Sequence, residues 1–167
     1  MKQIIKIGLA QINPVLGDLS GNAAKIINFI QEADQQGVDL LIFPELAITG
    51  YLPQDLLLNR SFIDCNLQYL NKITAACRSS MVVILGFVAR ENGKLYNAAA
   101  VSKSGLLIAT RYKTLLPNYD VFDERRYFTP ANENLPVTIE IGGHSVRLGV
   151  EICEDLWDSN SAIKVTD

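Results

Sequence analysis

Val38-Asp39-Leu40-Leu41-Ile42-Phe43-Pro44-Glu45 is an apolar run stopped by a proline and followed at once by a carboxylate. Residues 38–43 read as a buried strand, and Pro44, which has no N–H to give a ladder, ends it. Upstream, residues 22–36 carry Ala23, Ile26, Ile27, Ile30 and Ala33 on one helical face, with Gly37 as the stop. Earlier still, residues 4–12 are rich in β-branched side chains and read as a first, largely buried strand, closed by Pro14 and Gly17-Asp18. Strand, helix and strand at this spacing form a βαβ unit, which favours adjacent parallel strands and a right-handed crossover. Glu45 then sits at the carboxyl end of a strand, where α/β folds gather ligand-binding residues.

Beyond Gln54, a short helix is predicted over 55–59 and a longer one over 61–77. Cys65 and Cys77 fall on the longer helix and read as packing residues, since free cysteine behaves as a small hydrophobe. A third strand is predicted over 81–89, and the Asn92-Gly93 pair marks a hairpin. Strands over 96–103 and 106–111 flank Ser104-Gly105. A polar-aromatic loop fills 112–135, and strands over 137–141 and 145–152 pair across Gly142-Gly143. About seven strands and three helices, with a βαβ start and a hairpin middle, give an α/β class with a mixed sheet. The polar tail 158–167 has the makings of a helix start but is too short to cover a sheet. The chain therefore reads as a domain cut after its last strand.

With 167 residues, 49% of them hydrophobic, one core and one domain are expected. A net charge of -3 argues against nucleic acid or an anionic membrane as the main partner. No apolar run approaches the roughly 20 residues of a membrane helix. Lys2 and Lys6 break the N-terminal apolar residues, unlike a signal peptide. Three cysteines without paired short spacings suggest neither a disulfide framework nor a zinc site. The cytoplasm is the expected compartment.

The chemistry-bearing residues lie at strand ends. Residues 146–152, apolar but for Arg147 and Glu151, read as a strand that delivers Cys153 into the polar break Cys153-Glu154-Asp155-Leu156-Trp157. A thiol needs a positioned base or a lowered pKa to attack at neutral pH. His144 is the single histidine, in a Gly-Gly-His-Ser turn, so the base for this thiol is expected not to be an imidazole. Position leaves two readings of Glu45 open, a general base raised by burial or a solvated turn cap. Lys113 opens the loop after the strand 106–111, and reads either as a solvated lysine or as a cation that steadies a thiolate and an oxyanion. Arg125 and Arg126 read as ion-pair partners of Asp120, Asp123 or Glu124. Thiol, carboxylate and ammonium together make a set able to form and hydrolyse a thioester from an amide, without a metal.

Phe43-Pro44-Glu45-Leu46-Ala47-Ile48-Thr49-Gly50-Tyr51, the Lys113 loop and Cys153-Glu154-Asp155-Leu156-Trp157 resemble the Glu-Lys-Cys signature of the nitrilase, or carbon–nitrogen hydrolase, superfamily. Within it the chain is similar to the N-terminal glutaminase domains of glutamine-dependent NAD synthetases. The pointers are Gly50-Tyr51-Leu52-Pro53-Gln54-Asp55-Leu56-Leu57, Leu116-Pro117-Asn118-Tyr119-Asp120-Val121-Phe122-Asp123-Glu124, and Glu-Asp-x-Trp after the cysteine. The resemblance implies a nitrilase-like α-β-β-α sandwich, here truncated after the nucleophile strand, in which Glu45 is the base, Lys113 steadies the tetrahedral intermediate and Cys153 is the nucleophile. It also implies that Tyr51 orients Glu45, that Tyr119 and Phe122 shape a pocket for L-glutamine, and that Glu154 gives an oxyanion N–H and contacts the substrate.

No cofactor is implied for glutamine hydrolysis. The ammonia would pass to a C-terminal synthetase domain that uses ATP and deamido-NAD, in a homo-oligomer. Residues 1–167 would then be the N-terminal part of the amidohydrolase domain, weakly active or inactive alone. The alternatives are a stand-alone amidase or carbamoylase on another small amide, and a non-catalytic oligomerisation scaffold.

Overall fold

The computed structural model describes residues 4–157. The tail 158–167, read as a helix start, lies outside the described residues. β1 (Ile7–Leu9), α1 (Leu19–Gln35) and β2 (Leu40–Ile42) form the expected βαβ unit, with β1 and β2 parallel. α2 (Arg60–Ala76) leads into β3 (Val82–Glu91), which pairs parallel to β2. β4 (Lys94–Lys103) and β5 (Leu106–Tyr112) follow as antiparallel neighbours, giving a mixed five-stranded sheet in chain order.

Local chemistry sets the ends. The Asp18 side chain accepts from Gly21 N–H at 2.9 Å, so α1 starts at Leu19, three residues before the apolar periodicity becomes visible. Asn59 caps α2 by accepting from Ser61 and Phe62. Asn92 and Gly93 both hold positive φ in the β3–β4 turn, the conformation that their pairing predicts. Three expectations are corrected. The first strand is three residues long, because it is an edge that meets only the three residues of β2. The short helix is a 3-10 helix, Gln54–Leu58. The final strand ends at Leu148, not at Ile152.

That last strand is β7 (His144–Leu148), paired antiparallel with β6 (Val137–Ile141) in a separate hairpin. Val137 faces Leu148 at its end, and Pro136 just before has no N–H to extend the ladder. Residues 149–152 run on outside the β6–β7 ladder, and Val150 O accepts from Asn134 Nδ2.

Strand alternation distributes side chains to two layers. Val83, Leu85, Phe87, Ala98 and Ala100 pack with Ile26, Ile30, Leu70 and Ile73 of the helices. Val82, Ile84, Ala99 and Val101 face Val137, Ile139 and Ile141 of the hairpin, with Val150 and Ile152. The apolar runs are therefore continuous because β3 and β4 are buried on both faces. Cys77 is buried and its Sγ donates to Ile73 O, and Cys65 is partly buried against the same core, both as packing residues. The layers are helices, sheet and hairpin. Among the described residues no helix covers the hairpin's outer face, where Thr138, Glu140, Ser145 and Arg147 are exposed.

A third cluster, Leu46, Leu57, Ile63, Val88, Leu116 and Phe128, lies beneath the carboxyl ends of the strands. It ties the segment after β2 to the loop after β5. Among the described residues, no helix is long and apolar enough to cross a membrane.

Candidate active site

Glu45 follows β2 on a tight elbow. Leu46 adopts a φ of 48°, and Leu46, Ala47 and Ile48 are fully buried. The elbow rests directly on Gly86 of β3. A Cβ there would lie 2.4 Å from Leu46 N and 2.5 Å from Pro44 O, so a side chain has no room. Glycine thereby fixes how far Glu45 descends toward the sheet.

Lys113 continues the β5 ladder by one bond, its N–H donating to Asn97 O at 2.8 Å. Its side chain is 0% exposed, and Nζ lies 2.7 Å from Glu45 Oε1 and 2.9 Å from Glu124 Oε1. The reading of a solvated lysine is thus corrected. Burial alone lowers an ammonium pKa, but the two carboxylates outweigh it and hold Lys113 above its ordinary value. Glu124 is 2% exposed, and burial pushes its carboxyl up even though Lys113 pulls the other way.

The expected pairing of Arg125 and Arg126 with Asp120, Asp123 or Glu124 is met by Arg126 at Asp123, while Glu124 turns inward to Lys113. Arg126 reaches Asp123 at 3.9 Å and Asp55 at 4.0 Å, while Arg125 Nε donates to Leu116 O. Tyr51, expected to orient Glu45, instead donates its hydroxyl to Glu124 Oε1 at 3.0 Å. Asn97 Nδ2 donates to Glu45 Oε1 at 2.6 Å and to Glu124 Oε2 at 3.4 Å.

Cys153 opens the 3-10 turn Cys153–Leu156 with a φ of 49°. It is exposed, and it lines the same cavity as Glu45. Partial loss of hydration and then the Glu45 charge push its pKa up, with Lys113 opposing. A cavity of about 210 Å³ lies beside Glu45 and Cys153, walled by Ile42, Ile84, Ala99 and Val150. Glu45, Lys113 and Cys153 therefore share one place, with Cys153 set beyond the end of β7 rather than on it. His144 is half-buried at the start of β7, paired with Ile141 across the hairpin turn.

Around the thiol, Tyr119 hydroxyl donates to Glu154 Oε2 at 3.0 Å, and its ring meets Phe122 edge-on at 5.6 Å. Phe122 also approaches Tyr51, with centroids 6.3 Å apart. Three buried residues were missed as site members, Asn97, Glu124 and Asp155, and Asn97 was read only as part of a strand. Glu124 was read only as one of three carboxylates open to Arg125 and Arg126, and nothing in its loop marks which carboxylate turns inward. Asp155 appeared only as a letter of a motif, yet it is 1% exposed and accepts from Thr114, Leu115 and Ile152.

A buried lysine held between two glutamates, beside a cysteine on a strained turn, is a constellation that can be compared with known proteins. The carbon-nitrogen hydrolase model matches residues 6–166. The chain belongs to the carbon–nitrogen hydrolase family. It is 45% identical over 155 residues to a glutamine-dependent NAD(+) synthetase of Thermotoga maritima, covering 92% of this chain and 26% of that protein. A solved glutamine-dependent NAD+ synthetase from Acinetobacter baumannii superposes with a TM-score of 0.81 at 38% identity, over 94% of this chain and 29% of that one. An amidase from Nesterenkonia sp. gives a TM-score of 0.75 at 22% identity, over 91% of this chain and 56% of that one, which speaks to the fold alone. The chain spans about a quarter of the length of the curated relatives it matches.

Proposed function

We propose that residues 1–167 are the N-terminal part of a glutamine amidohydrolase domain, serving a glutamine-dependent NAD synthetase. The observation that carries the reading is the Lys113 ammonium, fully buried and bonded to Glu45 beside the Cys153 thiol. The high identity to NAD synthetases over nearly the whole chain supports the choice of glutamine over other small amides.

The charges suggest the order of events. Lys113, Glu45 and Glu124 leave the cluster one negative charge in excess, which disfavours a free thiolate. Cys153 therefore attacks the γ-amide carbonyl as its proton passes to Glu45, rather than from a resting thiolate. The oxyanion is met by Lys113 and by the Glu154 N–H. That N–H opens a turn whose own bonds are made by Asp155 and Trp157. Glu45 returns the proton to the departing nitrogen, so ammonia leaves and a γ-glutamyl thioester remains. Glu45 then takes a proton from the attacking water and passes it to the departing sulfur, so that the C–S bond breaks, glutamate leaves and the thiol is restored. Tyr119, Phe122 and Glu154 would line the glutamine pocket.

In this reading ammonia passes to a synthetase domain of the same protein, which would bind ATP and deamido-NAD. The enzyme would be a cytoplasmic homo-oligomer. Hydroxylamine tests the thioester step, because it attacks the acyl-enzyme and leaves as γ-glutamyl hydroxamate. The full-length protein is expected to form hydroxamate from glutamine, and Cys153→Ala to form none. Undiminished hydroxamate from the alanine variant would overturn the assignment.

A further inference from the structure

We infer that Asn97 is a positioning residue that commits the Glu45 carboxylate to work through Oε2. The inference rests on the reading of Glu45 as the base. Two donors converge on one oxygen, Asn97 Nδ2 at 2.6 Å and Lys113 Nζ at 2.7 Å, both on Glu45 Oε1. An oxygen that already accepts two charge-assisted bonds is a poor site for a third proton. Oε2 is thereby the atom that exchanges a proton with thiol, ammonia and water.

Asn97 is built for this task. It is 1% exposed on β4, opposite Val88, and its carbonyl accepts the Lys113 N–H. Its amide also reaches Glu124 Oε2 at 3.4 Å, so one neutral group donates to both carboxylates that hold the lysine. Asn97 Oδ1 has no hydrogen-bond partner among the described residues. The reversed amide would aim that oxygen at two carboxylates, and their repulsion fixes the orientation. Among the described residues, the groups around Glu45 include Asn97 of β4, Lys113 after β5, Glu124 of the loop, Cys153 and Tyr51, whose hydroxyl donates to Glu124.

The test is steady-state glutamine hydrolysis by the full-length protein carrying Asn97→Ala, with kcat expressed per Cys153 site counted by iodoacetamide labelling. With one of its two donors gone, the carboxylate is free to turn and Oε2 loses its aim, so kcat per labelled site should fall about tenfold or more. KM should change by about twofold at most, because Asn97 does not touch substrate. A purely structural role would lower the number of labelled sites, or raise KM in step, and leave kcat per site in place, and that result overturns the inference. Asn97→Ser, whose hydroxyl is too short to span the gap, reads the same split should the alanine variant not fold. Glu45→Gln separates the two claims. Retained turnover in that variant would sink the base assignment itself, whereas an inactive Glu45→Gln beside an Asn97→Ala protein of parental kcat would sink only the role of Asn97.

Discussion

The Asp155 carboxylate accepts twice from Thr114, at 3.0 Å from its backbone N–H and 2.7 Å from its hydroxyl. The same oxygen takes Leu115 N–H at 2.8 Å, and the other takes Ile152 N–H at 3.1 Å. Thr114 follows Lys113 and Ile152 precedes Cys153. One buried side chain thus joins the residue beside the ammonium to the residue beside the thiol. It also supports the left-handed φ of Cys153, a conformation that costs a residue with a Cβ roughly 1 kcal/mol or more.

Asp155→Ala should therefore damage stability and chemistry together. Several buried donors lose their acceptor, for a combined cost on the order of 3 kcal/mol. Thr114→Val removes a single bond and should cost about 1 kcal/mol, with a smaller fall in kcat. Urea unfolding and steady-state turnover measure both. An Asp155→Ala protein with parental stability and turnover would show that the bridge does not hold the site.

Glu45→Gln should make Cys153 easier to alkylate, although it removes the proposed base. The Glu45 charge is among the causes that raise the thiol pKa, and Lys113 opposes it. Removing the carboxylate charge lowers the pKa and leaves the ammonium with one anionic partner fewer, which acts in the same direction. The pH at which iodoacetamide labelling of Cys153 is half-maximal should move down, while glutamine hydrolysis is lost. A midpoint that moves up would contradict the electrostatic account.

The fold was legible where burial is uniform. The run Leu40-Leu41-Ile42-Phe43 and the apolar residues of β3 announce strands because both faces of the sheet are covered, and Asn92-Gly93 announces its turn by backbone chemistry alone. Glu45, Lys113 and Cys153 were visible as strand-end residues within long motifs. The end of β7 was not, because hydrophobicity runs on to Ile152 while pairing stops at Leu148, and pairing depends on where β6 begins. The inward turn of Glu124 was hidden for a similar reason. Its loop offers several carboxylates and two arginines, and only the position of Lys113 decides which carboxylate is buried.

Gly86→Ala should impair catalysis from beneath the site. The new methyl would meet Leu46 N, Pro44 O and Glu45 C at 2.4, 2.5 and 2.8 Å, all backbone atoms that have no rotamer to yield. The elbow must lift, and Glu45 moves with it. Overpacking of this kind costs about 1–3 kcal/mol, and a displacement near 1 Å can cost roughly a hundredfold in rate. Thermal unfolding with turnover would check this. A variant with unchanged kcat would mean that the height of the elbow does not matter.

Cys153→Ala separates ammonia release from ammonia use. If the thiol serves only to free ammonia from glutamine, the full-length protein carrying this change should lose glutamine-dependent NAD synthesis and keep synthesis from added ammonium. Cys153 is exposed at the start of a short turn, and the packing beneath it is made by Ile152 and Asp155, so a smaller side chain should leave the fold intact. The alanine also removes a thiol whose raised pKa makes it a poor resting anion, so the electrostatics of Lys113 should change little. Initial rates with glutamine and with ammonium chloride, on protein shown to be folded by circular dichroism, decide the matter. Loss of both activities would assign the cysteine a role beyond the thioester.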